Sequence, residues 1–187
     1  MNKAFVKESD DEPLSPLPEM PTDVRNYITP AGYQRMQIEL RHLLQSLHAT
    51  PATHSDKRVT DYKKALTEAQ VREIERRIHY LQTRLDVAEI VDPSVHADEQ
   101  QIFFGAIVTY QSGQSEQHTV TIVGLDELDP AHGKISWLSP VAQALLKAFE
   151  GDKVTMESPA GDEELKVLLV RYPARIELEG RGASLGD

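Results

Sequence analysis

Acids and bases crowd one short stretch of this chain, Asp56-Lys57-Arg58 and then Asp61-Tyr62-Lys63-Lys64. Two carboxylates held close together can share a divalent cation, which is the metal chemistry open to Asp56 and Asp61. Their spacing opposes it on a helix. A separation of five at about 100° per residue turns the two acids roughly 140° apart, so only an irregular loop would bring both to one ion. Lys57 and Arg58 also repel a cation placed nearby. The structural alternative is that Asp56 caps a helix and Asp61 sits near the positive end of its dipole. A basic series begins here as well: Lys57, Arg58, Lys63, Lys64, Arg72, Arg76, Arg77 and Arg84 suit either RNA phosphates or a solvated helix face. His42, His48 and His54 recur every six positions, about 240° apart, and share no helix face on which to hold a metal.

Composition narrows the classes. The chain has 187 residues, 27% charged and 40% hydrophobic, enough to bury a core in one domain or two small ones. No apolar run approaches the roughly 20 residues of a membrane span. The first residues lack the order of a secretory signal. There is no cysteine, so disulfides and thiolate metal sites are excluded and a cytoplasmic location fits. The net charge of −10 is uneven. Residues 29–90 carry ten basic and eight acidic side chains, whereas residues 91–187 carry seven and sixteen. Such a balance disfavours duplex DNA and suits either a basic protein surface or simple solubility.

These residues need elements to position them. Residues 1–27, acidic and rich in proline, cannot bury enough surface to offset their ordering entropy, so a disordered leader is expected. Thr29-Pro30 reads as a helix cap and first position, with Ile28 packing back on the first turn. Tyr33, Met36, Leu40, Leu43 and Leu47 then give a helix–helix seam to about residue 48. Pro51 ends or kinks that helix. A second begins near Ser55 or Asp56 and keeps its seam through Val71, Ile74, Ile78, Leu81, Leu85 and Ala88, ending before Asp92-Pro93. Its roughly 33 residues would make a rod of about 50 Å. Residues 28–92 thus predict an antiparallel helical hairpin, a short coiled coil with unequal arms.

Beyond residue 100 the period changes. Ile102–Tyr110, Thr119–Leu125 and Lys134–Leu138 read as strands. Ser139-Pro140 opens a short helix, Val141–Phe149, and Lys153–Glu157 and Glu164–Arg171 are two further strands. Residues 100–173 predict a compact β-sheet with one packed helix, and residues 174–187 a tail. The fold class is α+β.

The run from Ser139-Pro140-Val141 through Leu145-Leu146-Lys147, then Gly151-Asp152 and Ser158-Pro159-Ala160-Gly161, closely resembles the GreA/GreB transcription elongation factors. Phe103-Phe104-Gly105-Ala106, Thr121-Ile122-Val123-Gly124, Glu73-Ile74-Glu75-Arg76-Arg77-Ile78 and Ile28-Thr29-Pro30-Ala31-Gly32-Tyr33 carry the same resemblance. It covers roughly residues 27–173 except the hairpin tip, and the GreB branch is nearer. The family implies an FKBP-like C-terminal domain on the rim of the secondary channel of bacterial RNA polymerase, with Ser139 and Pro140 in the neighbourhood that meets the rim. It implies a helical hairpin whose acidic tip helps the polymerase bind a second Mg²⁺ and cleave its own transcript. No cofactor is then held by the factor alone, and contact with nascent RNA is open to it. An FKBP-like fold raises prolyl isomerisation, but that needs an aromatic-lined pocket, and Trp137 is the only tryptophan in an aromatic-poor chain.

The tip departs from the family pattern Asp-x-x-Glu-Asn-(small)-(acid)-Tyr. Asp61-Tyr62 matches its end and Asp56 its first acid if one residue is missing; counting back from Tyr62 without a gap puts Arg58 where the essential Glu belongs. Three readings follow for a monomeric accessory factor without an active site of its own. It modulates elongation from the channel; or it stimulates cleavage through Asp56, Asp61 and polymerase Mg²⁺; or it blocks other factors by occupying the channel.

Overall fold

The computed structural model describes residues 24–48, 68–113, 116–159 and 161–174. The chain divides into two compact units, the first holding, among the described residues, Val24 and residues 34–48 and 68–87, the second Arg25–Tyr33 and the described residues from Ala88 onward. The structure is mixed α and β, as the sequence predicts.

The first unit is built on helices α1 (Pro30–His48) and α2 (Glu68–Asp86). Met36, Ile78 and Leu81 of the predicted seam are buried, and Leu81 is fully enclosed. Ile38, outside the predicted seam, is half exposed. Glu39 and Arg77 pair across the helices at 2.7 Å. Glu39 stands at the middle of α1 and Arg77 at the middle of α2, so the two helices meet at their mid-points. The helix α2 stops at Asp86, short of the expected end before Asp92. Ala88, assigned to the seam by spacing alone, belongs instead to a strand.

That strand, β2 (Ala88–Ile90), pairs in parallel with β1 (Asn26–Ile28), Asn26 opposite Ala88 and Ile28 opposite Ile90. Val91 continues the ladder by donating to the Ile28 carbonyl at 2.9 Å. Asn26 and Tyr27, expected at the end of the leader, are therefore part of a ribbon anchored by the fully buried Ile28. Residues 1–23 of the leader, the hairpin tip and residues 175–187 of the tail lie outside the described residues.

The main sheet of the second unit has the order β5-β4-β3-β7-β6, from β3 (Ile107–Gln111), β4 (Gln117–Val123), β5 (Lys134–Ser136), β6 (Lys153–Met156) and β7 (Glu163–Arg171). Neighbours are antiparallel except β4 and β5, which are parallel. A short helix, α3 (Pro140–Leu145), places Ala142 and Leu145 on a core containing Ile102, Val108, Ile122, Leu165 and Val167. Two boundaries move for identifiable reasons. β3 starts at Ile107 rather than Ile102 because Gly105 turns left-handed at φ 85°, its N–H donating to the Ile122 carbonyl at 2.8 Å. α3 ends at Leu145 rather than Phe149 because Lys147 takes φ 72° and the chain turns to bond Ile102 on both sides, Lys147 N–H to Ile102 O and Ile102 N–H to Ala148 O, each 2.8 Å.

Candidate functional site

The candidate residues that the structure describes sit where β5 gives way to α3. Parallel pairing of β5 on β4 carries the chain to Ser136. The loop before β5 is pinned by Asp129, which accepts the Lys134 N–H on its carbonyl at 2.9 Å and meets His132 Nδ1 with its carboxylate at 2.7 Å. After β5, Trp137 donates its N–H to the Val123 carbonyl at 2.9 Å, and Leu138 donates to Ser136 Oγ at 3.1 Å. Ser139 then donates its own N–H to the Ser136 carbonyl at 2.9 Å. The turn is thus held at every step before the helix begins.

Ser139 is the N-cap of α3, with extended backbone, and its Oγ accepts the Ala142 N–H at 3.3 Å. Pro140 occupies the first helical position, where a missing N–H costs nothing, and is exposed. The predicted helix start is realised, and it leaves Pro140 at the surface beside a capping serine whose hydroxyl is already engaged. Gln143 reinforces the corner by donating Nε2 to the Trp137 carbonyl at 2.6 Å. The indole of Trp137 lies 5.2 Å from the ring of Tyr27, which in turn lies 5.9 Å from Phe104. Aromatic pairs of this tilted kind contribute roughly 0.5–1.5 kcal/mol beyond their buried area. Trp137 is a packing residue of this corner. The arrangement presents a rigid surface turn suited to contact; it brings no nucleophile and general base together.

The remaining candidates separate. Asp56, Asp61, Lys57, Arg58, Lys63, Lys64 and His54 lie outside the described residues. His42 is exposed on α1. Among the described residues, no group of three or more His, Asp or Glu side chains could hold a metal ion. The described part of the basic series does not act as one face. Arg72 is exposed, Arg76 meets Glu73 at 3.2 Å, Arg77 pairs with Glu39, and Arg84 is buried. Glu127, which no sequence pattern singles out, is the one buried acid among the described residues.

The sequence model for "Transcription elongation factor, GreA/GreB, C-term" matches residues 97–172. The transcription elongation factor GreB of Neisseria meningitidis serogroup A is 41% identical over 161 residues, which span 82% of this chain and 98% of that protein. GreB of Yersinia pestis is 37% identical over 153 residues, covering 79% of this chain and 89% of its own length. Among solved structures, GreA factor homolog 1 of Thermus thermophilus aligns with 79% of this chain and 99% of its own at 25% identity, with a TM-score of 0.35.

Proposed function

This chain belongs to the GreA/GreB family of transcription elongation factors, and from that premise we propose that it binds bacterial RNA polymerase at the secondary channel and modulates elongation there without a conventional cleavage tip. The near-complete match to GreB relatives supports the first half. On this reading the C-terminal unit, FKBP-like in fold, meets the channel rim through the turn at Ser139 and Pro140, and the helical hairpin enters the channel. The chain acts as a monomeric, cytoplasmic accessory factor, and the chemistry belongs to the polymerase.

Arg58 carries the second half. It falls where the acid that would complete a pair of carboxylates belongs, and a five-residue spacing would set Asp56 and Asp61 about 140° apart if the backbone between them were helical. With Lys57 next in sequence to Asp56, these residues do not fit a shared Mg²⁺. The test is transcript cleavage in purified backtracked elongation complexes, with this protein, with an authentic GreB, and with both. The expected outcome is no acceleration by this protein alone and slower cleavage when it competes with GreB. Acceleration that disappears when Asp56 and Asp61 are both changed to Ala would overturn the reading and make it a cleavage stimulator.

A further inference from the structure

Helix α1 begins with half of a capping box. Thr29 is its N-cap: Thr29 Oγ accepts the N–H of Gly32 at 3.0 Å, and Gly32 is the third helical position, counting Pro30 as the first. In a complete box that third residue is Glu or Gln, and its side chain reaches back to accept the N–H of the cap. Gly32 has nothing to reach back with. The carboxylate arrives from 98 positions downstream, where Glu127 Oε2 accepts the Thr29 N–H at 2.8 Å and Oε1 accepts the Thr29 hydroxyl at 2.5 Å.

The glycine makes room for this. A Cβ on Gly32 would lie 2.2 Å from Oε1 and 2.3 Å from Cδ of Glu127, so any side chain there displaces the carboxylate. Glu127 is only 6% exposed. It ends the 3₁₀ turn Leu125–Glu127 that follows β4, so its backbone is held by the sheet. Its negative charge at the helix start also complements the macrodipole. A local Glu at position 32 would cap the helix equally well but would bind it to nothing else.

We propose that Glu127 is a positioning residue, which completes the capping box of α1 from the sheet and thereby makes the first turn of that helix depend on the folded sheet. The tether stands independently of the polymerase reading.

Amide hydrogen exchange is compared for the unsubstituted chain, for Glu127→Ala, for Glu127→Gln, and for Glu127→Ala combined with Gly32→Glu. The combined variant restores a local capping box without the tether. Protection in the first turn of α1 is expected to fall roughly tenfold in Glu127→Ala and to return in the combined variant. Glu127→Gln retains an acceptor for the Thr29 N–H and is expected to keep the original protection. Unchanged protection in Glu127→Ala, or a Glu127→Gln variant as poorly protected as Glu127→Ala, overturns the proposal. If Glu127→Ala does not fold, Gly32→Ala, whose Cβ displaces the carboxylate, takes its place in the comparison.

Discussion

Glu39 and Arg77 meet across α1 and α2 in bidentate geometry, Nε donating to Oε1 at 2.7 Å and Nη2 to Oε2 at 2.9 Å. The side chains remain 41% and 36% exposed, so solvent screens the attraction. Leu81, by contrast, has no exposed surface. Arg77→Ala is therefore expected to lower the stability of the helical unit by about 1 kcal/mol or less. Leu81→Ala should lower it by about 2–5 kcal/mol through lost burial and the cavity left behind. Helical circular dichroism during urea unfolding measures both. Equal losses would mean that the ion pair, and not the apolar seam, holds the two helices.

Ser139 and Pro140 divide stability from contact. Ser139→Ala removes a cap and should cost about 1 kcal/mol of folding stability. Pro140→Ala keeps the helix start and should be nearly neutral for folding. If the turn meets the polymerase, Pro140→Ala should nevertheless weaken binding to core polymerase by roughly tenfold, the equivalent of about 1.4 kcal/mol. Affinity measured by titration of labelled core enzyme, beside thermal unfolding, separates the two effects. Undiminished affinity in both variants would move the contact elsewhere.

What the sequence reveals depends on how far apart the interacting groups lie. The starts of α1 and α3 were legible because Thr29-Pro30 and Ser139-Pro140 act on their own first turns. The strands of the main sheet were legible to within a few residues, from their alternation and the turns between them. The β1–β2 ribbon was not, because each strand has three residues and its partner lies far along the chain. The end of α2 was misplaced for the same reason: Ala88 prolongs the apolar spacing, and only pairing with Asn26 pulls it into a strand. Glu127 carries no local signal because half of its capping box stands at Thr29 and Gly32. The one local hint was a glycine where such a box carries Glu or Gln.

The ribbon also depends on a close approach. A Cβ on Gly124 would lie 2.0 Å from the backbone carbonyl oxygen of Tyr27, an atom that cannot move aside without moving β1. Gly124→Ala should therefore destabilise the second unit by roughly 1–3 kcal/mol. Gly113→Ala provides the control, since a Cβ there meets nothing within 4 Å. It should be neutral or stabilise by about 0.4–1 kcal/mol through the unfolded chain. Urea midpoints for the two variants check the contrast, and similar midpoints would show that β1 yields easily.

Two phenols should make this fold sensitive to alkali. Tyr172 donates its hydroxyl to the Gln101 carbonyl at 2.6 Å and accepts the Phe103 N–H at 2.8 Å. Burial holds its pKa above the ordinary 10.0, with Glu99 acting in the same direction and the Phe103 N–H against it. Burial likewise raises Tyr110, helped by Glu163. Below their ordinary pKa both phenols are protonated in folded and unfolded chains alike, and their contribution is fully present. Above it the unfolded chain ionises first and binds fewer protons, so stability falls as pH rises through the folded values. Urea midpoints should therefore decline from about pH 10 upward. Tyr172→Phe should flatten part of that decline. It should also cost roughly 1–3 kcal/mol at neutral pH, because Gln101 and Phe103 lose their partner. Tyr110→Phe should flatten the decline as well. Alkaline slopes unchanged in both variants would place the sensitivity in other groups.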